Sequence, residues 1–199
     1  MEVEYREEPC RNALNRVKGM GFGWSLNPYM GCAHRCTFCY VRAYEQRADR
    51  PFDDRYGRSV RVKMNVAEVL RGELARRSWS GETVAIGAAT DPYQPAEGRY
   101  KLTRRCLEAL RDFANPFSLI TRSPMIIRDL DVLVEAARRA VALEPDCDPG
   151  RPVVGAPDLL ALLVGERALV DLGAGRLGDV SRPADVVRVE VRSYRTYVL

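Results

Sequence analysis

The sequence lacks any long hydrophobic run: no window of its 199 residues approaches the roughly 18 uninterrupted apolar residues that a membrane-spanning helix needs. The first ten residues are acidic, where a secretion signal would be basic and then apolar. These absences predict a cytoplasmic protein with no membrane partner. A strong charge of one sign is lacking too, since the formal net charge is only +4. That surplus is too small to indicate nucleic-acid binding by itself.

Residues 141–199 lack eight residue types altogether, namely Lys, His, Asn, Gln, Ile, Met, Phe and Trp. They concentrate Gly and Pro instead, and their net charge is −2, whereas residues 1–140 carry +6. The contrast predicts a boundary near Ala140, between a core of residues 1–140 and a divergent Gly-, Pro- and Arg-rich tail.

Two interpretations of this tail remain open. Its composition is typical of a GC-rich gene read in a shifted frame, so a frameshifted or truncated chain is one hypothesis, and a genuine small C-terminal domain is the other. Only Val187–Val191 alternates as a strand does. A truncated core would leave its last strand as an unpaired edge, which predicts poor solubility and lost activity.

The first 140 residues alternate between strand and helix patterns. Three segments are typical of short buried strands: Phe22–Asn27, Thr83–Gly87 and Phe117–Thr121. Each precedes a helix pattern: Asn65 is the predicted N-cap of the first helix, Thr103 can cap the second, and Asp129 opens the third. Three successive βα units predict an α/β fold, with a parallel sheet, helices packed outside it and right-handed crossovers.

Three of the six cysteines, Cys32, Cys36 and Cys39, fall within eight residues. The cytoplasmic expectation argues against disulfides, so the cluster points to metal binding. The loop that carries it follows the first predicted strand, and α/β folds place their chemistry at such strand ends. Three thiolates at this CxxxCxxC spacing can hold three irons of a [4Fe–4S] cluster and leave the fourth iron open.

Structural zinc is the alternative, and it needs four ligands. His34 is the only histidine of the chain, and because it lies between two of the cysteines, a closed site of three cysteines and this histidine is sterically awkward. Cys10 would have to arrive from elsewhere in the chain. Cys106 falls on the predicted buried face of a helix, where a free cysteine acts as a small hydrophobic residue. The pattern favours the cluster.

Two motifs, NPYMGCAHRCTFCY at residues 27–40 and TDPYQPAE at residues 90–97, closely resemble the radical S-adenosylmethionine (SAM) enzymes, and within them the branch related to spore photoproduct lyase. The resemblance covers roughly residues 10–140. It implies a partial (β/α) barrel with parallel strands, incomplete relative to the six-unit barrel of the family. It also implies that a reduced [4Fe–4S] cluster splits SAM into methionine and a 5′-deoxyadenosyl radical, which abstracts a substrate hydrogen.

The same resemblance implies roles for individual residues. Cys32, Cys36 and Cys39 would be the cluster ligands, and Phe38 would lie near the adenine of SAM. Thr90 and Arg122, at the ends of the second and third strands, would approach SAM together with Asp91. Tyr40 matches a tyrosine that passes the radical on. Asp91 and Glu97 are candidate acid–base groups, but they are equally typical of turn and cap residues around Pro92 and Pro95.

One departure limits the resemblance. The lyase has a hydrogen-donating cysteine at the end of the second strand, but this chain reads Gly87-Ala88-Ala89-Thr90-Asp91 there. Photoproduct repair is therefore not predicted. A non-catalytic zinc or Fe–S binding module, or an inactive truncated fragment, is the alternative function.

Two kinds of partner follow. The family's chemistry implies an external electron donor of the flavodoxin or ferredoxin type. The segment from Arg35 to Lys63 holds eight basic and four acidic residues with interleaved aromatics, which makes nucleic acid a candidate substrate class. A solvated loop over the site explains the same composition.

Overall fold

The computed structural model describes residues 2–48, 52–53, 55–142, 168–172 and 187–191. In chain order its elements are β1 (Glu4–Glu8), β2 (Leu14–Arg16), β3 (Trp24–Leu26), β4 (Tyr29–Met30), α1 (Val41–Arg47), β5 (Ser59–Lys63), α2 (Val66–Leu74), β6 (Val84–Ile86), α3 (Pro95–Tyr100), α4 (Leu102–Asp112), β7 (Phe117–Thr121), a 3-10 helix (Pro124–Asp129), α5 (Leu130–Ala142), β8 (Ala168–Leu172) and β9 (Val187–Val191). In this described part of the chain, no helix is both long and apolar enough to cross a membrane.

The larger sheet has six strands in the order β2-β3-β6-β7-β9-β8. Strands β3, β6 and β7 are parallel, with Leu26 opposite Ile86 and Ile86 opposite Leu119. These are the three strands that the sequence predicts, although β3 and β6 are each three residues long and shorter than expected. Their apolar side chains are buried because helices cover the sheet, as parallel sheets require.

The outer strands make this sheet mixed. Strand β9 is the segment predicted from its alternation, and it pairs antiparallel with both β7 and β8. The expected unpaired edge at β7 is therefore wrong, because β9 supplies its ladder partner over all five residues. A parallel barrel is not what the described strands form, since only β3, β6 and β7 run parallel within the larger sheet.

A second sheet, which the sequence pattern did not reveal, has the order β1-β5-β4. Strand β1 reads EYREE and keeps three of its five residues exposed, so it lacks the apolar pattern of a core strand. Strand β4 is only two residues long. This sheet places Cys10 and Lys63 just after β1 and at the end of β5.

The helices begin close to the predicted positions, with three differences in detail. Helix α2 follows Asn65 as expected, but that side chain accepts a hydrogen bond from the backbone N–H of Cys10 at 2.7 Å and caps nothing. Thr103 is not a cap, because α4 begins at Leu102 and the Thr103 hydroxyl donates to the Pro92 carbonyl at 2.5 Å. Asp129 does not open α5 but ends the 3-10 helix, where it is fully buried.

The core lies between the larger sheet and helices α2, α4 and α5. Its largest fully buried residues include Leu70, Leu107, Leu110, Phe117 and Leu133. Each such side chain contributes roughly 1.5–3 kcal/mol of hydrophobic stabilisation. Cys106 is fully buried among them, as predicted. The tail predicted from residue 141 lies mostly outside the described residues, Cys147 included, while position 140 itself lies within α5.

Candidate functional site

The three clustered cysteines lie on one loop, between the end of β4 and the start of α1. Two tight turns shape it: the N–H of Arg35 donates to the Cys32 carbonyl at 3.2 Å, and the N–H of Cys39 donates to the Cys36 carbonyl at 3.3 Å. Gly31 begins the loop with a φ of 87°, and a Cβ there would lie 2.6 Å from the Ser59 carbonyl oxygen. Only glycine fits this close approach to β5.

Each of the three sulfur atoms has a different environment. Burial raises the pKa of the Cys32 thiol to about 11, and the backbones of Asp91 and His34 act in the opposite direction. The Cys36 sulfur lies 2.7 Å from an Nη of Arg122. The Cys39 sulfur lies 3.9 Å from the phenol oxygen of Tyr56. Donors on sulfur stabilise the thiolate form, which is the form that binds metals.

The side chains of the cysteine loop bear on the two kinds of metal site that the sequence suggests, a zinc ion and a [4Fe–4S] cluster. A tetrahedral zinc ion with Zn–S bonds of about 2.3 Å needs sulfurs about 3.8 Å apart. Among the residues described, no group of three or more His, Cys, Asp and Glu side chains is close enough to hold a metal ion. Cys10 packs against the main core, whereas Cys32 and Cys39 pack in a separate small cluster with Val41 and Tyr56, so the structure does not group Cys10 with the loop cysteines. Three thiols on one loop match the three ligands of a [4Fe–4S] cluster with one open iron, whereas a closed zinc site needs a fourth ligand.

Thr90 and Gln94 join the cysteine loop to the loop after β6. The Thr90 hydroxyl donates to the Gly31 carbonyl at 2.8 Å and accepts from Nε2 of Gln94 at 2.8 Å. Nε2 also donates to the Gly31 carbonyl at 3.0 Å, and Oε1 of Gln94 accepts from the N–H of Ala33 at 3.0 Å. Thr90, which the resemblance expects to approach SAM, uses its hydroxyl here to hold the cysteine loop.

Asp91 is also engaged within the protein. Its Oδ1 accepts from the Tyr93 N–H at 2.8 Å and from the Thr121 hydroxyl at 2.6 Å, and its Oδ2 accepts from the Arg122 N–H at 2.9 Å. Nε2 of His34 lies 3.6 Å from Oδ2, beyond hydrogen-bond distance. The carboxylate therefore joins the carboxyl ends of β6 and β7, as the turn interpretation predicts.

Arg122, Phe38 and Tyr40 lie around the cysteine loop. The Arg122 guanidinium carbon is 5.0 Å from the centre of the Phe38 ring, which is 66% exposed. The Tyr40 phenol is half exposed, donates to the Ala88 carbonyl and contacts Tyr44 edge-on at 6.0 Å. Burial raises the pKa of Tyr40, and the neighbouring Cys39 and Tyr44 act in the same direction. All the residues that the resemblance singles out are thereby brought to one end of the parallel strands.

Two further residues of this region were missed by the sequence reasoning. Gln94 lies inside the TDPYQPAE motif, but nothing in the motif shows that its side chain points to the cysteine loop. Arg42 donates to the carbonyls of Cys36 and Arg35 at 3.0 Å each, and to that of Phe52 at 2.8 Å. An arginine three residues after the last cysteine of a motif carries no sequence signal that it holds the loop in this way.

Glu97, considered as an acid–base group from the sequence, is fully buried and engaged. It accepts hydrogen bonds from the Tyr29 phenol at 2.5 Å and the Thr103 N–H at 2.8 Å, and it pairs with Arg128 at 2.7 Å. This geometry is that of a cap residue, which was the alternative interpretation.

Comparison with known proteins identifies a matching family and several similar proteins. The sequence model of the Radical SAM superfamily matches residues 26–147, which is more than half of the chain. An uncharacterized protein of Mycobacterium tuberculosis is 41% identical over 140 residues, covering 69% of this chain and 41% of its own length. Uncharacterized proteins of Acidianus two-tailed virus and Methanocaldococcus jannaschii are 32% and 25% identical, covering 59% and 71% of this chain and 40% and 51% of their own lengths.

The chain spans about two fifths of the length of the mycobacterial relative. No solved structure matches the chain. The family match contains all three cysteines of the loop, both strand-end loops and β7. The chain therefore belongs to the radical SAM superfamily.

Proposed function

We propose that this protein is a radical SAM enzyme, in which Cys32, Cys36 and Cys39 hold a [4Fe–4S] cluster whose fourth iron takes SAM. The observation that carries the proposal is the set of three thiols on one loop at the carboxyl ends of β6 and β7, with Arg122 donating to one sulfur. When bound, the cluster supplies the electron that cleaves SAM and starts hydrogen abstraction from a substrate.

The residues around the loop divide into two groups in this proposal. Arg122 and Phe38 face the cofactor, because a guanidinium has five donors and can hold a carboxylate while it also bonds the Cys36 sulfur. The exposed Phe38 ring offers an apolar face for the adenine. Thr90 and Asp91 act by holding the loops in place. Tyr40, half exposed beside Cys39, is the proposed radical relay.

The finer placement, in the branch related to spore photoproduct lyase, is supported by the motifs at residues 27–40 and 90–97. The strand-end sequence from Gly87 to Asp91 has no cysteine, so a photoproduct repair reaction is not part of the proposal.

Two partners belong to the proposal. Reduction of the cluster requires an external one-electron donor, which we place in the flavodoxin or ferredoxin class. Nucleic acid is the candidate substrate class, supported by Tyr40, Tyr44 and Phe38 on the surface and by Arg47, whose guanidinium carbon lies 5.4 Å from the Tyr44 ring centre. Exposed rings beside arginines suit base stacking and phosphate contact.

Anaerobic reconstitution tests the function. Wild-type protein loaded with iron and sulfide should show broad visible charge-transfer absorption and, with reductant and SAM, release 5′-deoxyadenosine. Cys36→Ala should lose both signals, because two thiols do not hold the cluster stably. Cys10→Ala is the matched control and should keep both, since Cys10 packs against the main core and not in the cluster that contains Cys32 and Cys39.

The outcomes separate the alternatives. Zinc in anaerobically purified protein, or a cluster that forms equally well in Cys36→Ala, would overturn the proposal. A stable cluster without SAM cleavage would support the non-catalytic binding module instead.

A further inference from the structure

Gln94 is an uncharged polar residue with no solvent exposure at all. A buried primary amide is costly unless its hydrogen-bonding atoms are paired. Here Nε2 donates to the Gly31 carbonyl and to the Thr90 hydroxyl, and Oε1 accepts from the Ala33 N–H, with all three distances between 2.8 and 3.0 Å. The side chain is therefore fixed in a single orientation.

The two backbone groups that Gln94 bonds lie on either side of Cys32. One is the carbonyl of the preceding residue and the other is the N–H of the following residue, so the amide pairs with the loop as a neighbouring strand would. The loop after β6 thereby holds the backbone of Cys32 on both sides through one side chain.

We infer that Gln94 is a positioning residue, which fixes Cys32 as the first cluster ligand by bracketing its backbone. The inference rests on the proposed function and extends it to a residue that touches neither the cluster nor SAM. Groups that orient metal ligands from outside commonly change metal affinity 10–100-fold when they are lost. Without the amide, the loop keeps its own turns and the hydrogen bond from the Thr90 hydroxyl to the Gly31 carbonyl, but the Ala33 N–H loses its partner.

The first measurement uses the metal-free protein, so that it does not depend on the proposed chemistry. Gln94→Met keeps the length of the side chain and removes every hydrogen bond. Hydrogen exchange at the Ala33 amide and alkylation of Cys32, read by mass spectrometry, should each accelerate about tenfold or more, because a buried hydrogen bond is lost. Alkylation of Cys36 serves as the internal reference.

Asn115→Leu is the matched control. Asn115 is another buried amide, which bonds the Glu82 and Pro116 carbonyls and the Trp79 indole at the opposite end of the parallel strands. Its loss disturbs the fold to a similar degree, yet it should leave Ala33 exchange and the ratio of Cys32 to Cys36 alkylation as in the wild type.

The second measurement uses the loaded protein. Gln94→Met should need 10–100-fold more iron and sulfide for half-occupancy, and its reduced cluster should give an altered electron paramagnetic resonance spectrum. Wild-type rates of Ala33 exchange and Cys32 alkylation in Gln94→Met would overturn the inference. A wild-type protein that takes up no cluster would overturn the proposed function instead, so the two failures are distinguishable.

Discussion

Arg122 is a single residue with two proposed partners, the carboxylate of SAM and the sulfur of Cys36. Its position at the end of β7 agrees with the role that the resemblance implies, while its contact with the Cys36 sulfur at 2.7 Å could not be expected from the sequence. A positive donor on a ligand sulfur stabilises the more negative, reduced cluster and raises its reduction potential.

Arg122→Gln should therefore lower the midpoint potential of the SAM-free cluster. The shift expected for one charged hydrogen bond is on the order of 60 mV, since about 59 mV corresponds to a tenfold change for one electron. Redox titration followed by electron paramagnetic resonance measures it. Arg99→Gln, on the exposed face of α3, should leave the potential unchanged. An unchanged midpoint potential in Arg122→Gln would show that the contact between Arg122 and the Cys36 sulfur does not tune the cluster.

Thr90 and Asp91 illustrate the limit of transferring residues by motif. The resemblance implies that both approach SAM, and in the structure the Thr90 hydroxyl donates to the Gly31 carbonyl while the Asp91 carboxylate accepts from the Arg122 N–H. The atoms they bond, however, belong to Gly31, Thr121 and Arg122, which are about 30 to 60 positions away in sequence. Partners so far apart in sequence are decided by how the strands assemble.

At the scale of elements, a buried network of charges holds α3 to the 3-10 helix. Glu97 and Asp129 are both fully buried, and Arg128 pairs with each of them at 2.7 Å. Asp129 also accepts from the Tyr93 phenol at 3.1 Å and pairs with Arg104 at 3.0 Å. Because α3 directly follows Gln94, this network also fixes the loop whose Gln94 side chain bonds the backbone on either side of Cys32.

Arg128→Met should lower the free energy of unfolding by about 2 kcal/mol, because it leaves two buried carboxylates short of a partner while their other bonds remain. Denaturant unfolding followed by circular dichroism measures the change. Arg55→Met removes an exposed pair with Asp53 and should cause no measurable loss. Equal stabilities of the two variants would contradict the stabilising role of the network.

At the scale of the whole molecule, β9 completes the larger sheet. Its five residues lie opposite the five residues of β7 on one side and of β8 on the other. This pairing covers the edge of β7, which would otherwise expose a row of unpaired backbone groups to other chains. Residues 187–191 are thereby joined to the strand that directly precedes Arg122.

Val189→Pro tests this completion. Since β9 has a partner strand on each side, the N–H of residue 189 lies in a ladder whichever way it points, and proline removes it. The variant should lose about 1–3 kcal/mol of unfolding free energy and show faster hydrogen exchange across residues 117–121. Val189→Thr keeps the N–H and should behave as wild type. Unaltered exchange in β7 of the proline variant would argue against the pairing.

The sequence alone determined the three parallel strands, the helices that follow them and the cysteine loop, because each depends on the periodicity or spacing of neighbouring residues. It determined β9 for the same reason. Only the tertiary structure decided that β9 covers β7, that the charged segment EYREE is a strand of a second sheet, and that Gln94 brackets Cys32. Those features depend on hydrogen bonds between residues dozens of positions apart, and such partners become neighbours only when the sheets have formed.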